Sequence, residues 1–159
     1  MSDLTPFADL LDRLDARDAA GDGDARALAD TQLAEGETVL EAWLASRGLE
    51  ATPETTEGFR LLALHRQGAR GDPSFNACRE TCRELVYLRN VAMAYDGDTP
   101  EVRRTLRLHR MVLRHLALFV GGKMIDAGLG DFCCSSRPVR SADANPKRAA
   151  PVGPAVQGD

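Results

Sequence analysis

Apolar side chains return every three or four residues through most of this chain, the period of a helix packed on one side. Phe7, Leu10, Leu11 and Leu14 mark a first helix over about 6–20, and Leu28, Leu33, Val39, Leu40, Trp43 and Leu44 a second over about 24–47. Gly36 weakens the middle of the second. Phe59, Leu62 and His65 share one side of a third, over about 53–68. In a fourth, over about 73–95, Phe75, Cys78, Cys82, Leu85, Val86, Leu88, Ala92 and Met93 fill the apolar arc. Arg79, Glu80, Arg83 and Glu84 take the opposite one. The fifth, over about 100–127, turns Val102, Leu106, Val112, Leu113, Leu116, Phe119, Val120 and Met124 inward, with His109 at the centre of that arc.

The ends of these segments carry their own signals. Thr5-Pro6, Thr52-Pro53, Asp72-Pro73 and Thr99-Pro100 each place a side-chain oxygen before a proline. Such an oxygen accepts the orphan amides of a first turn, and proline at the first helical position loses only a donor without a partner. Arg47-Gly48 and the Gly-Asp-Gly-Asp run at 21–24 read as stops. No strand-like alternation occurs. The pattern predicts an all-α protein, a single antiparallel helical bundle of about five helices. The bundle domain is assigned to residues 1–134. Residues 135–159, with four prolines, no aromatic residue and no leucine, are assigned to a disordered tail.

Composition narrows the class. The 159 residues bury a core without disulfide staples. No basic, apolar leader opens the chain and no apolar run approaches the roughly 18 residues of a membrane span. A cytoplasmic protein with reduced cysteines and no membrane partner is expected. Residues 1–60 carry a net charge of −9 and residues 61–159 of +5. The two halves are expected to pair within the fold.

All four cysteines and all three histidines lie between His65 and Cys134. Cys78 and Cys82, four apart, stack on one helical face. If the last two helices pack antiparallel, His109 lies at a similar height. Cys78, Cys82 and His109, with Cys133 or Cys134 completing the shell, form the candidate metal site. Thiolate and imidazole there suit zinc, copper or an iron–sulfur cluster. Against this, the spacing is not the C-x2-C of common zinc sites, and free cysteine often packs as a small apolar residue. His65 and His115 read as boundary histidines. Arg89 and His109, polar groups on apolar arcs, are candidates for a buried polar network.

Arg103, Arg104, Arg107, Arg110 and Arg114 form a basic stripe on the fifth helix. It is read as a solvated or internally docked face first, a partner-protein surface second and a phosphate-binding face third. An isoelectric point near 5.4 and the lack of interleaved aromatics disfavour nucleic acid. The chain has no G-x-S-x-G, P-loop or G-x-G-x-x-G motif. The expected function is a small non-catalytic accessory or interaction module whose partner is another protein or a second copy. Metal or iron–sulfur sensing is the alternative, and an enzyme is the last of the readings.

Overall fold

The computed structural model describes residues 6–20 and 23–127. Thr5, the Cys133-Cys134 pair and the tail assigned to 135–159 lie outside the described residues. The chain forms α1 (Ala8–Ala20), α2 (Ala25–Ser46), α3 (Arg60–Gly71), a 3-10 segment (Pro73–Cys78), α4 (Arg79–Ala94) and α5 (Pro100–Ile125). Among the described residues no helix is long and apolar enough to cross a membrane.

Most boundaries follow the capping signals. Asp24 accepts hydrogen bonds from the amides of Arg26 and Ala27 at 3.1 and 3.2 Å and opens α2. That helix ends at Arg47 and Gly48, where the amides of Gly48 and Leu49 fold back to the carbonyls of Ala45 and Leu44 at 3.0 and 2.9 Å. Thr99 accepts from the Val102 amide at 3.2 Å and Pro100 takes the first helical position of α5. Asp72 accepts from the Ser74 amide at 3.1 Å, but it opens the 3-10 segment, and α4 proper begins only at Arg79.

Thr52-Pro53 does not start a helix, which corrects the expectation for 53–68. The Thr52 hydroxyl accepts from the amide of Glu54 at 3.1 Å, two residues on, and so closes a local turn. The chain then reverses through Thr56-Glu57-Gly58-Phe59. Thr56 and Phe59 exchange two backbone hydrogen bonds of 3.0 Å, and both central residues have positive φ, 53° at Glu57 and 87° at Gly58. This is the geometry of a type I′ turn, which no helix passes through. Helix α3 therefore starts at Arg60.

The long connection returns the chain to the middle of α2. Leu61 then meets Gly36 and Gly68 meets Trp43, so α3 runs in the same general direction as α2. Helix α5 also runs with α2, because Gln32 bonds to His109, Gly36 faces Leu113 and Trp43 receives Lys123. Helices α1 and α4 run against this pair. Phe7 lies at Gly121 while Asp18 lies at Arg110, and Leu85 lies at His109 while Ala92 packs with Val102 and Leu106. At Gly36 a Cβ would stand 3.3 Å from Leu85 Cδ1, 3.4 Å from Leu61 Cδ1 and 3.8 Å from Leu113 Cδ1. The glycine that costs α2 helix propensity is thus where α3, α4 and α5 converge on it. Beside this crossing, the fully buried Phe75 ring stacks on Trp43 at 5.2 Å and on His65 at 5.6 Å. Lys123 clamps the same corner, donating to Ser74 Oγ at 2.7 Å and lying 3.4 Å from Asp72.

Candidate functional site

The two thiols meet, but without His109. Cys78 ends the 3-10 segment and Cys82 lies one turn into α4; both are free and fully buried. The Cys78 thiol donates to the Phe75 carbonyl at 3.3 Å, and the His65 Nε2–H donates to the same oxygen at 3.1 Å. The histidine beside the thiols is therefore His65, buried at the core edge of α3, and its reading as a boundary residue is corrected. It belongs to the run Leu61–His65, buried on every residue. The neighbouring Cys82 thiol, and burial after it, push Cys78 far above the usual thiol range. While it stays protonated, the Cys78 thiol is a poor nucleophile. Among the described residues no three Asp, Glu, Cys or His side chains converge as a group able to hold a metal ion.

These thiols behave as core. Replacing either by alanine is expected to cost about 1–2 kcal/mol, through the cavity left in a close-packed layer. The purified protein and its Cys78→Ala/Cys82→Ala variant should hold the same substoichiometric traces of zinc, copper and iron. Elemental analysis showing one metal per chain, lost in the variant, would refute this.

His109 anchors a different structure. Its Nε2–H donates to the Leu85 carbonyl at 3.0 Å, which leaves Nδ1 to accept from Gln32 Nε2 at 2.9 Å. Both ring nitrogens are thus occupied in a neutral ring. Burial pushes the ring down to about 4, opposed by the bond to Leu85 and assisted by the charges of Arg110 and Arg89. The other end of Gln32 accepts from Arg110 Nη1 at 3.2 Å. Arg110 Nε donates to Asp18 on α1 at 2.7 Å, and Arg114 reaches Asp15 and Asp18. Desolvation works against the charge on Asp18, but the two guanidiniums outweigh it and hold the carboxyl below its ordinary range. One polar chain therefore joins α4, α5, α2 and α1 through the bundle. Arg89, the other predicted member, is only half-buried. It pairs with Asp30 at 3.0 Å and lies over the Phe59 ring at 5.7 Å.

The basic stripe divides in two. Arg110 is 1% exposed and Arg114 folds onto α1, so this half is internal and is corrected as a partner surface. Arg103 is exposed and pairs with Asp98 at 3.4 Å, while Arg104 and Arg107 are exposed with no ion pair among the described residues. Comparison with family models, with curated proteins and with solved structures finds no match for this chain.

What the outer side of α5 does carry is apolar. Leu108, Met111, Leu118 and Ile125 are 44, 60, 50 and 51% exposed. With His115 and Gly122 they fall at 108, 111, 115, 118, 122 and 125, alternating steps of three and four. That is the heptad rhythm of a helix with an apolar seam, running along α5 opposite its buried arc. It was legible in the sequence, but the stronger inward stripe and the arginines between its members masked it.

The surface depressions offer less. The largest described, about 220 Å³, is lined by His65, Arg66, Arg79 and Arg83 with Thr56, Glu57 and Leu62. The Glu57 carboxylate already pairs with Arg83 at 2.9 Å, and that bond and charge, with help from Arg79 and Arg66, hold it below the ordinary range.

Proposed function

We propose that this protein is a non-catalytic accessory module that engages a partner protein through the outer face of α5. The observation that carries this reading is the seam Leu108, Met111, Leu118 and Ile125, four large apolar side chains left half exposed in one line. Isolated exposed apolar residues need no explanation, whereas a contiguous patch rimmed by polar groups marks an interaction site. The rim is supplied by Arg104, Arg107 and the exposed His115. The interior supports the same reading from the other side, since its titratable groups are committed to one another and to the fold.

The test is a photo-crosslinking amino acid placed at position 115 of the full chain in the cell that makes it. Irradiation should give a discrete intermolecular adduct that disappears when Met111 and Leu118 are both changed to glutamate. Irradiation that yields no intermolecular adduct would sink the reading. Both changes are at exposed positions, so the variant should keep wild-type stability to within about 0.5 kcal/mol.

A further inference from the structure

We infer that the partner seated on this face is a second copy of the chain, bound through an antiparallel pairing of α5 with α5 about a two-fold axis. The inference rests on the interaction reading above and names its occupant. In an antiparallel pair each outer position of the seam faces one from the opposite end of the other helix. The seam closes on itself in that arrangement: Leu108 faces Ile125, Met111 faces Gly122, and His115 faces Leu118, each twice. The flexible Met111 side chain lies opposite the residue with no side chain, and the remaining layers pair large with large. The register follows from spacing alone, since the members lie symmetrically about residues 116 and 117.

Charge chooses the direction. The N-terminal part of the seam carries Arg104 on it and Arg107 beside it, neither with an ion pair among the described residues, while Arg103 is paired with Asp98 and Glu101 is exposed nearby. A parallel pair would stack Arg104 and Arg107 on their own copies, like charge against like. The antiparallel pair carries them instead to the carbonyl end of the facing helix. That end is closed by Asp126, and α1 begins beside it, with Phe7 at Gly121 and the exposed Asp9 two residues on. Cations are stabilised near a helix C-terminus. The acidic start of each α1 then meets the basic start of the facing α5, so the imbalance between the two ends of the surface is matched across the axis.

Size sets the strength. The seam is about 26 Å long and about 10 Å across, smaller than the roughly 800 Å² per partner of a standard stable interface. A seam of that size supports only a weak, exchanging dimer.

Sedimentation velocity on the full chain from about 5 to 500 µM should show a monomer–dimer equilibrium. Met111→Glu/Leu118→Glu should weaken it by at least tenfold, with an unchanged circular dichroism spectrum. The crosslinker at position 115 of the purified protein should give an adduct of twice the chain mass, mapped by mass spectrometry to residues 111–118 of the second copy. A chain that stays monomeric at 500 µM overturns the inference, as does an adduct within one chain to residues beyond 127. If the purified protein is monomeric while the adduct formed in the cell contains a different protein, the second copy is overturned and the interaction reading stands. If neither experiment gives an intermolecular adduct, both fall.

Discussion

Changing Arg110 to alanine is expected to lower the stability of the folded chain by about 3 kcal/mol, an effect far beyond that of removing a surface arginine. The guanidinium is 1% exposed and donates to Asp18 on α1 and Gln32 on α2. Breaking a buried ion pair by deleting one partner costs about 3–5 kcal/mol when the other charge is stranded out of water. Here Asp18 is 43% exposed and recovers solvent, so that part of the cost is small. The larger part lies at Gln32, fully buried, whose Oε1 loses its charged donor while its amide stays tied to His109. A cavity the size of the arginine stem adds to it. Arg110→Met fills most of the volume but leaves the same oxygen unmet, so about half of the loss should persist. Urea unfolding of the three proteins at neutral pH measures this. An alanine variant within about 0.5 kcal/mol of wild type would show that the guanidinium is not held as described. Hydrogen exchange should locate the damage first in α1, which Arg110 and Arg114 bind to the bundle.

This result also decides what the basic stripe is for. A helical wheel places Arg103, Arg104, Arg107, Arg110 and Arg114 together, and from the wheel alone all five have equal claim to a partner. The acidic α1 separates them, because it covers α5 only as far as Asp18 meets Arg110. The internal pairing of the acidic and basic halves of the chain was therefore legible as a balance of charge, but not which arginines it would consume. The same holds for the apolar positions. Leu108, Met111 and Leu118 read as scattered exceptions on a charged face until the burial of Arg110 removes the central charge from that face.

Fold and chemistry were legible to different depths for a physical reason. Periodicity and capping are local, so α2 and α5 could be read with their ends nearly in place, and α4 at its C-terminal end. The exception, Thr52-Pro53, is a place where two local solutions compete for one side-chain oxygen. The glycine at 58 permits the turn and withholds the helix. That error moved α3 by several residues, and the burial of His65 comes from its bond to the Phe75 carbonyl and its stack on the Phe75 ring, ten residues on. The thiol pair was visible because residues four apart share a face. Which histidine accompanied it was not, because this depended on α3 returning to the middle of α2 after a long connection. His109 was correctly marked as a polar group needing partners, yet those partners, Gln32 and the Leu85 carbonyl, come from 77 and 24 residues away.

Lowering the pH from 7 to 5 is expected to cost the folded chain about 2 kcal/mol through His109 alone, rising to about 3 kcal/mol near pH 4. The folded ring has a pKa of about 4 against an ordinary value of 6.5, chiefly because it is buried. Between those values the unfolded chain binds a proton that the folded chain refuses, so stability falls as the pH falls through that window. Two of the carboxyls act elsewhere. Asp18 and Asp72 have folded values lowered from 3.8, so their contribution is present above that pH and is lost only below it. Glu37, raised from 4.5 by burial, works in the opposite sense, penalising the folded chain as the pH rises above 4.5. Protonation would also force a second N–H on Nδ1, where the ring now accepts from Gln32 Nε2, and so would turn two donors toward each other at 2.9 Å. Gln32 would have to reverse its amide, which then opposes an N–H to Arg110 in place of the oxygen that binds it. Acid is therefore expected to loosen α1 as well as α5. In His109→Gln the amide nitrogen can donate to the Leu85 carbonyl and the oxygen can accept from Gln32, with no titration in this range. Urea unfolding at pH 5, 6 and 7 should show wild type losing stability toward pH 5 while the glutamine variant stays nearly level. If the variant keeps the full wild-type slope, the buried neutral imidazole is not its source.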